Sequence, residues 1–222
     1  MAAGRPPATA RRRVVALALV LAAAAAAEGA SRLIAVRFPG RPAAPDLLYG
    51  WLPHTPAASY VTLAAMSAML VLFLVRTLRS SPGRLPEYLT VLALMYLLRA
   101  PMLVLTPLAA ARDGSVLAFP LFVNGLFPSG HTALAFMLAR LTDAKKSPGL
   151  HAVQVALLGV VIVTMLLSRD HYSIDIIGGL LLGYFVSHEW STGHLFSPLK
   201  HLVTAETPEP ANGAAVLYSP DV

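Results

Sequence analysis

Long apolar stretches separated by short polar ones are the feature that most constrains this chain. Of its 222 residues, 56% are hydrophobic and only 13% are charged, against about 25% charged residues in an ordinary soluble domain. This balance excludes a water-soluble globule and predicts a polytopic membrane protein, with room for about five to seven spans of ~20 residues. No space remains for a second domain of ordinary size.

The apolar stretches predict an all-α fold with six transmembrane helices. They lie at residues 14–27, with a less regular continuation to 36, and at 57–75, 87–108, 129–142, 151–167 and 174–186. The first stretch follows three arginines and is interrupted by Glu28 and Arg32, so it fits a retained helix or a cleavable signal peptide. We favour the retained helix; cleavage would leave five spans.

The predicted organisation is a single membrane domain between two cytoplasmic ends. The N-terminus is residues 1–13, the helical catalytic domain is 14–190 with its motif-bearing core at 86–190, and the tail is 191–222. The tail is rich in proline, which predicts disorder toward its end. The chain has no cysteine, which excludes a disulfide, a thiolate metal site and a cysteine nucleophile.

The 17 basic residues indicate how the chain is oriented. With the N-terminus inside, most of them fall in cytoplasmic segments, and Arg32 and Arg99 fall within spans. The cytoplasmic set is Arg5, Arg11, Arg12, Arg13, Arg76, Arg79, Arg84, Arg140, Lys145, Lys146 and Lys200, and the outer set is Arg37, Arg41, Arg112 and Arg169. The positive-inside rule then places both ends in the cytoplasm. The net positive charge therefore reflects orientation and does not indicate nucleic-acid binding.

Residues 127–132, which read FPSGHT, begin the fourth predicted helix on the outer side. Pro128 breaks a preceding helix, Ser129 is a good N-cap, and Gly130 lets the backbone approach a ligand closely. The free N–H groups of a helix start, with the positive end of its dipole, form an anion site. His131 would meet a phosphate bound there. The alternative is a capped helix start with an interfacial histidine.

Residues 168–175, which read SRDHYSID, fall on the same side before the sixth predicted helix. His171 and Asp175 are four residues apart and share one face of a helix that starts here. A carboxylate that accepts the Nδ1 proton leaves Nε2 as nucleophile or base, and Arg169 offers a planar fork for phosphate oxygens. The alternative is an ion pair at a helix end. Two such segments on one face favour a site shared by helices four and six.

Together the two segments resemble the type 2 phosphatidic acid phosphatase superfamily, whose motifs are Pro-Ser-Gly-His and a later His-Tyr-x-x-Asp. Residues 168–175 are more similar to its sphingomyelin synthase-like branch, whose last motif reads His-Tyr-Thr-Ile-Asp. Arg99, with Thr106 after it, weakly resembles that branch's motif in the third helix. The resemblance covers residues 99–184.

This resemblance implies a six-helix bundle and phosphoryl transfer without a metal ion or cofactor. By analogy, His171 attacks phosphorus and becomes phosphohistidine, Asp175 orients it, and His131 acts first as acid and then as base. The side chains and backbone groups expected to bind substrate are Arg99, Asn124, Ser129, Gly130, Arg169 and Tyr172.

The chain departs from both branches at particular positions. It lacks the Lys-x6-Arg-Pro motif of the phosphatases, and Thr164-Met165 stand where they place Ser-Arg, so Arg169 is not the equivalent of their arginine. The synthase-like branch has an acidic residue four before the serine, where this chain has Gly125 with Asn124 beside it.

We therefore expect a lipid phosphotransferase that moves a phosphocholine-like head group from a glycerophospholipid to ceramide or diacylglycerol. The alternatives are a lipid phosphate or polyprenyl pyrophosphate phosphatase, and a non-enzymatic membrane scaffold or transporter-like protein. We expect membrane lipids as partners and do not expect nucleic acid. Whether the chain forms a homo-oligomer is left open. The site is expected on the extracytoplasmic or lumenal face, with a bacterial inner membrane weakly favoured.

Overall fold

Eight α-helices make up most of the described chain. The computed structural model describes residues 8–111, 125–193 and 195–204. The helices are α1 (Ala8–Arg37), α2 (Leu47–Trp51), α3 (Ala58–Ser80), α4 (Leu85–Leu105), α5 (Gly130–Leu141), α6 (Pro148–Ser168), α7 (Ser173–Ser191) and α8 (Ser197–Val203), with a 3₁₀ turn at Pro82–Arg84. No strand occurs in these ranges, so the all-α prediction is confirmed for them.

Among the described residues, four helical segments are long and apolar enough to cross a membrane, which indicates an integral membrane protein. They are Ala10–Arg37, Ala58–Ser80, Pro82–Leu105 and Pro148–Ser168. Helix α5 has 12 residues, which gives about 18 Å against the ~30 Å of a bilayer's hydrocarbon core. Helix α7 carries acidic residues near both of its ends. Six spans are therefore not shown by the helices themselves and remain a prediction.

Helix α1 is continuous through the polar positions that were expected to interrupt it. Arg32 donates to the Glu28 carboxylate one turn before it, so each charge has a partner on the helix surface. Toward its C-terminal end α1 packs on α4, where Ile34 is fully buried among Ala30, Ala100 and Leu103. Small side chains at such a contact let two helix backbones approach closely. The choice between a retained helix and a signal peptide stays a prediction.

The short helix α5 lies in the middle of the bundle, in contact with α3, α4, α6 and α7. Its closest neighbour is α7, because glycines occupy the contact. A Cβ on Gly179 would lie 2.5 Å from the Ser129 carbonyl oxygen, and one on Gly183 would lie 3.1 Å from that of Ala133. The absence of side chains at these two positions therefore allows the close contact of α5 and α7.

Helix α8 occupies the start of the predicted tail. It packs against α1 and α4, and the Lys200 ammonium donates to the Trp190 carbonyl oxygen at 2.8 Å. The disorder predicted for the end of the tail falls on residues 205–222, which lie outside the described residues.

Gly179→Ala should destabilise the fold, because the added methyl group meets backbone rather than a movable side chain. We expect a loss of roughly 1–3 kcal/mol in unfolding free energy, typical of overpacking. The measurement is thermal unfolding of the detergent-solubilised protein. The matched control is Gly159→Ala on α6, where nothing lies within 4 Å of the added Cβ, so its midpoint should not fall. Equal losses in both variants would contradict the packing argument.

Candidate active site

The predicted site residues gather at one end of the bundle, where α5 and α7 begin and where α4 and α6 end. Arg99 comes from the last turns of α4, His131 from the first turn of α5, His171 from the α6–α7 turn and Asp175 from the first turn of α7. Residues far apart in sequence therefore reach one place because four helices have their ends there.

Ser129 caps α5 as its sequence predicts. Its Oγ accepts hydrogen bonds from the Thr132 N–H at 3.2 Å and from the Thr132 hydroxyl at 3.1 Å. The Ser129 N–H donates to the Asp175 carbonyl oxygen at 2.8 Å, so the two motifs are joined by a backbone hydrogen bond. Ser129 is fully buried, which gives its side chain a capping role here; its contact with phosphate stays a prediction.

The first N–H groups of α5 are those that an anion would meet. Within the described part of the chain, the backbone N–H groups of Gly130 and His131 donate to no carbonyl. Unpaired N–H groups at a helix N-terminus, together with the helix dipole, favour a bound phosphate. This local geometry supports the prediction made for Gly130.

Asp175 organises the start of α7. Its Oδ2 accepts the Tyr172 N–H at 3.0 Å and lies 3.3 Å from Nδ1 of His171. The carboxylate is fully buried, and its Oδ1 has no hydrogen-bond partner among the described residues. A buried carboxylate beside an imidazole orients the ring. The contact expected from the four-residue spacing is present, but His171 lies in the turn before α7 and not on the helix as expected. The catalytic roles stay predictions.

The structure brings the two histidines together. Their ring centroids are 5.7 Å apart with an interplanar angle of 65°. His171 is buried and His131 is half-buried. One histidine is thus held by a carboxylate while its neighbour approaches it edge-on, close enough for both to contact one substrate group.

Arg99 is buried under the segment that leads into α5. Its Nε donates to the Pro128 carbonyl oxygen at 2.7 Å and an Nη donates to that of Gly125 at 3.0 Å. A Cβ on Gly130 would lie 3.2 Å from the guanidinium carbon. A charge inside a membrane domain needs such polar partners, and here it braces the loop below the candidate anion site. Its direct contact with phosphate stays a prediction.

Arg169 and Tyr172 contact the segment at residues 38–57, which contains α2. Arg169 ends α6 in the left-handed conformation (φ 57°); its Nη donates to the Tyr49 carbonyl oxygen at 2.9 Å, and its guanidinium lies 5.0 Å from that ring's centroid. The Tyr172 hydroxyl accepts the Ala44 N–H at 3.1 Å. The structure therefore holds both side chains on the 38–57 segment, and their substrate contacts stay predictions. Asn124 lies outside the described residues.

Helix α2 is a part of the site that was not predicted from the sequence, because it lies between the first two predicted spans, outside the apolar stretches. The Asp46 carboxylate accepts the Leu48 N–H at 2.9 Å, capping α2, and the Ser173 N–H at 2.5 Å, at the start of α7. The Tyr49 hydroxyl donates to the His171 carbonyl oxygen at 2.9 Å. Burial, and next the charge of Asp46, raises the pKa of Tyr49 above its usual value of 10.0, so the donor proton is retained. An aspartate before an apolar run was the available signal.

Asp170 is a second residue that was missed. Its Oδ2 accepts the hydroxyls of Ser59 on α3 at 2.6 Å and of Ser168 on α6 at 2.5 Å. This buried carboxylate thereby fastens the turn before His171 to two helices. The sequence signal that could have identified Asp170 is its charge, since it lies one residue before His171 in a chain with few charged residues.

Asp46→Ala should loosen the start of α7 because the caps of two helices are lost. Removal of a cap costs ~1 kcal/mol, so amide exchange in peptides covering residues 170–176 should be about fivefold faster. The control is Asp143→Ala, which removes a carboxylate that also accepts two backbone N–H groups, those of Lys145 and Lys146, at the other end of the bundle. Unchanged exchange in 170–176 for Asp46→Ala would contradict the assigned role.

Comparison with known proteins bears on the same part of the chain. Residues 124–192 match the family model described as PAP2 superfamily C-terminal. No curated protein matches the chain. The matched segment contains both histidines, Asp175 and helices α5 to α7, and it supports a relationship to the type 2 phosphatidic acid phosphatase superfamily.

Proposed function

We propose that this protein is an integral-membrane lipid phosphotransferase of the sphingomyelin synthase-like kind. Similarity to the PAP2 superfamily suggests an enzyme of the lipid phosphatase or phosphotransferase type. The observation that carries the proposal is the pair of adjacent histidines, with Asp175 3.3 Å from Nδ1 of His171. Such a pair supplies a nucleophile and a separate acid–base group to one phosphoryl centre.

In the first proposed step, Nε2 of His171 attacks the phosphorus of a glycerophospholipid. The P–N bond forms as the bond from phosphorus to the diacylglycerol oxygen breaks, and His131 gives its proton to that oxygen. The products are diacylglycerol and a phosphohistidine that carries the head group. Asp175 stabilises the positive charge on the modified imidazole, because it is buried against Nδ1.

In the second proposed step, a lipid hydroxyl such as that of ceramide or diacylglycerol attacks the phosphohistidine. His131, now neutral, accepts the hydroxyl proton, the P–N bond breaks, and His171 is restored. The phosphoryl oxygens lie at the Gly130 and His131 N–H groups, above the charge of Arg99. Water in place of the lipid hydroxyl would turn the same site into a phosphatase, which is the alternative function.

The product assay separates these reactions. Purified protein in mixed micelles receives a glycerophospholipid labelled in its phosphorylated head group. One arm contains ceramide, another contains diacylglycerol whose acyl chains differ in length from those of the donor, and a third contains no acceptor. We expect label in a new lipid in an acceptor arm. Released phosphate or phosphorylated head group, with no new labelled lipid in any arm, would establish the hydrolase and contradict the transferase.

Substitution of the proposed nucleophile tests the mechanism itself. His171→Ala and Asp175→Asn should lose turnover, on the order of 10³-fold or more for the nucleophile. The control is His188→Ala, an exposed histidine on α7 away from the candidate site, which should keep full activity. A scaffold or transporter-like protein predicts that all three variants behave alike, so unchanged lipid turnover in His171→Ala would refute the enzyme.

We also propose six spans with both ends in the cytoplasm and the site on the extracytoplasmic face. The basic residues at the opposite end of the bundle support this orientation. Reporter tags at residues 113 and 145 should label from opposite sides of the membrane, with residue 145 inside. Tags accessible from the same side would contradict the proposed topology, and with it the placement of the site.

A further inference from the structure

A second polar region lies at the end of the bundle opposite to the histidines. It is a cleft between the end of α3, the turn into α4 and the α5–α6 connection, and we call it the basic cleft. Its polar lining includes Arg76, Arg84, Tyr88, Asp143, Lys146 and Ser147, and Phe73 and Leu141 form an apolar wall. The proposed chemistry uses none of these residues.

Arg76 is held across the cleft by one hydrogen bond. Its Nε donates to the Ser147 hydroxyl at 2.8 Å, which joins the end of α3 to the start of α6. Within the described residues no acceptor is paired with its two Nη groups. A guanidinium fixed at Nε, with both Nη groups left to donate, is arranged to bind two oxygens of one anion.

Tyr88 supplies a further donor beside this cation. The residue is only 7% exposed, it lines the cleft, and its hydroxyl has no hydrogen-bond partner in the part of the chain that the structure describes. The charges of Arg84, Glu87, Arg76 and Asp143 all act on that hydroxyl, and the Arg84 guanidinium lies 4.9 Å from the ring centroid. The hydroxyl oxygen is not one of the fully enclosed polar atoms that lack a partner, so it is reachable from the cleft and can donate to a polar ligand.

The acidic neighbours do not cancel the positive charge of the cleft. Glu87 accepts from Arg84 at 3.1 Å and from the Trp190 indole at 3.2 Å. Asp143 accepts two backbone N–H groups, and its carboxylate lies 4.0 Å from the Lys146 ammonium. Three cations therefore face two carboxylates at the cleft, and the charge that remains is that of Arg76, which attracts an anion.

We propose that the basic cleft binds a phosphate group of an anionic ligand. The two Nη groups of Arg76, the Tyr88 hydroxyl and the Lys146 ammonium are its donors. Two sources share this chemistry: the head group of an anionic phospholipid, whose chains would lie against Phe73 and Leu141, and a free phosphorylated ion. Basic pockets between membrane helices at the cytoplasmic surface bind such head groups. The proposal is independent of which reaction the histidines perform.

Binding is measured on the full-length chain carrying His171→Ala, which removes turnover of the probe. Native mass spectrometry follows the titration with phosphatidylglycerol and, separately, with phosphatidylcholine. Arg76→Gln combined with Lys146→Gln removes two cleft charges. The matched control is Arg79→Gln combined with Lys145→Gln, which removes the same charge from exposed residues at the same end, outside the lining. Tyr88→Phe removes a single hydroxyl and preserves the packing of the ring.

We expect the cleft pair to weaken phosphatidylglycerol binding about tenfold or more, since it removes the charged hydrogen-bond donors of the cleft. Tyr88→Phe should weaken it about threefold, and the control pair less than twofold. Competition by millimolar inorganic phosphate would identify a free ion as sufficient, whereas no competition would identify the lipid. Equal losses in the cleft and control pairs, equal binding of phosphatidylcholine, or no loss in either pair would overturn the proposal.

Discussion

The candidate site depends on one buried carboxylate, that of Asp175. Its side chain accepts a hydrogen bond from the Tyr172 N–H and faces His171. Its backbone carbonyl accepts a hydrogen bond from the Ser129 N–H. A single residue therefore fixes the start of α7, the histidine beside it and the cap of α5. The close approach that this needs is possible because Gly179 carries no Cβ where the Ser129 carbonyl lies. The two motifs are thus joined both by a backbone hydrogen bond and by close packing of their helices.

Much of this arrangement was predictable because it is local in sequence. Apolar runs placed the long helices to within a few residues, and the Ser129 cap follows from its side-chain chemistry. The His171–Asp175 contact was expected from the four-residue spacing, but it forms across the cap of α7, because His171 lies before the first residue of that helix. Arg99 was expected at the site from its resemblance to a motif, and its hydrogen bonds to backbone carbonyls agree with the rule that a charge in an apolar span needs polar partners. In each case a few neighbouring residues, or one rule about the bilayer, decide the outcome.

The remainder could not be predicted because it depends on contacts between distant segments. The position of α2 decides whether Arg169 points to a phosphate or to Tyr49. Tyr49 is 120 residues away from Arg169 along the chain. The continuity of α1 through Glu28 follows from an ion pair that satisfies both charges at the surface. The length of a span also depends on its neighbours, since α5 is surrounded by four helices and need not meet lipid along its whole length.

The segment that resembles the PAP2 superfamily does not form its site alone. Residues 124–192 contain both histidines and Asp175, yet the loop before α5 is held by Arg99 of α4, and the start of α7 is capped by Asp46. The Tyr49 hydroxyl binds the His171 carbonyl, and Ser59 of α3 binds Asp170 in the turn before it. The candidate catalytic groups thus belong to the matched segment, while residues of the preceding part of the chain hold them in position.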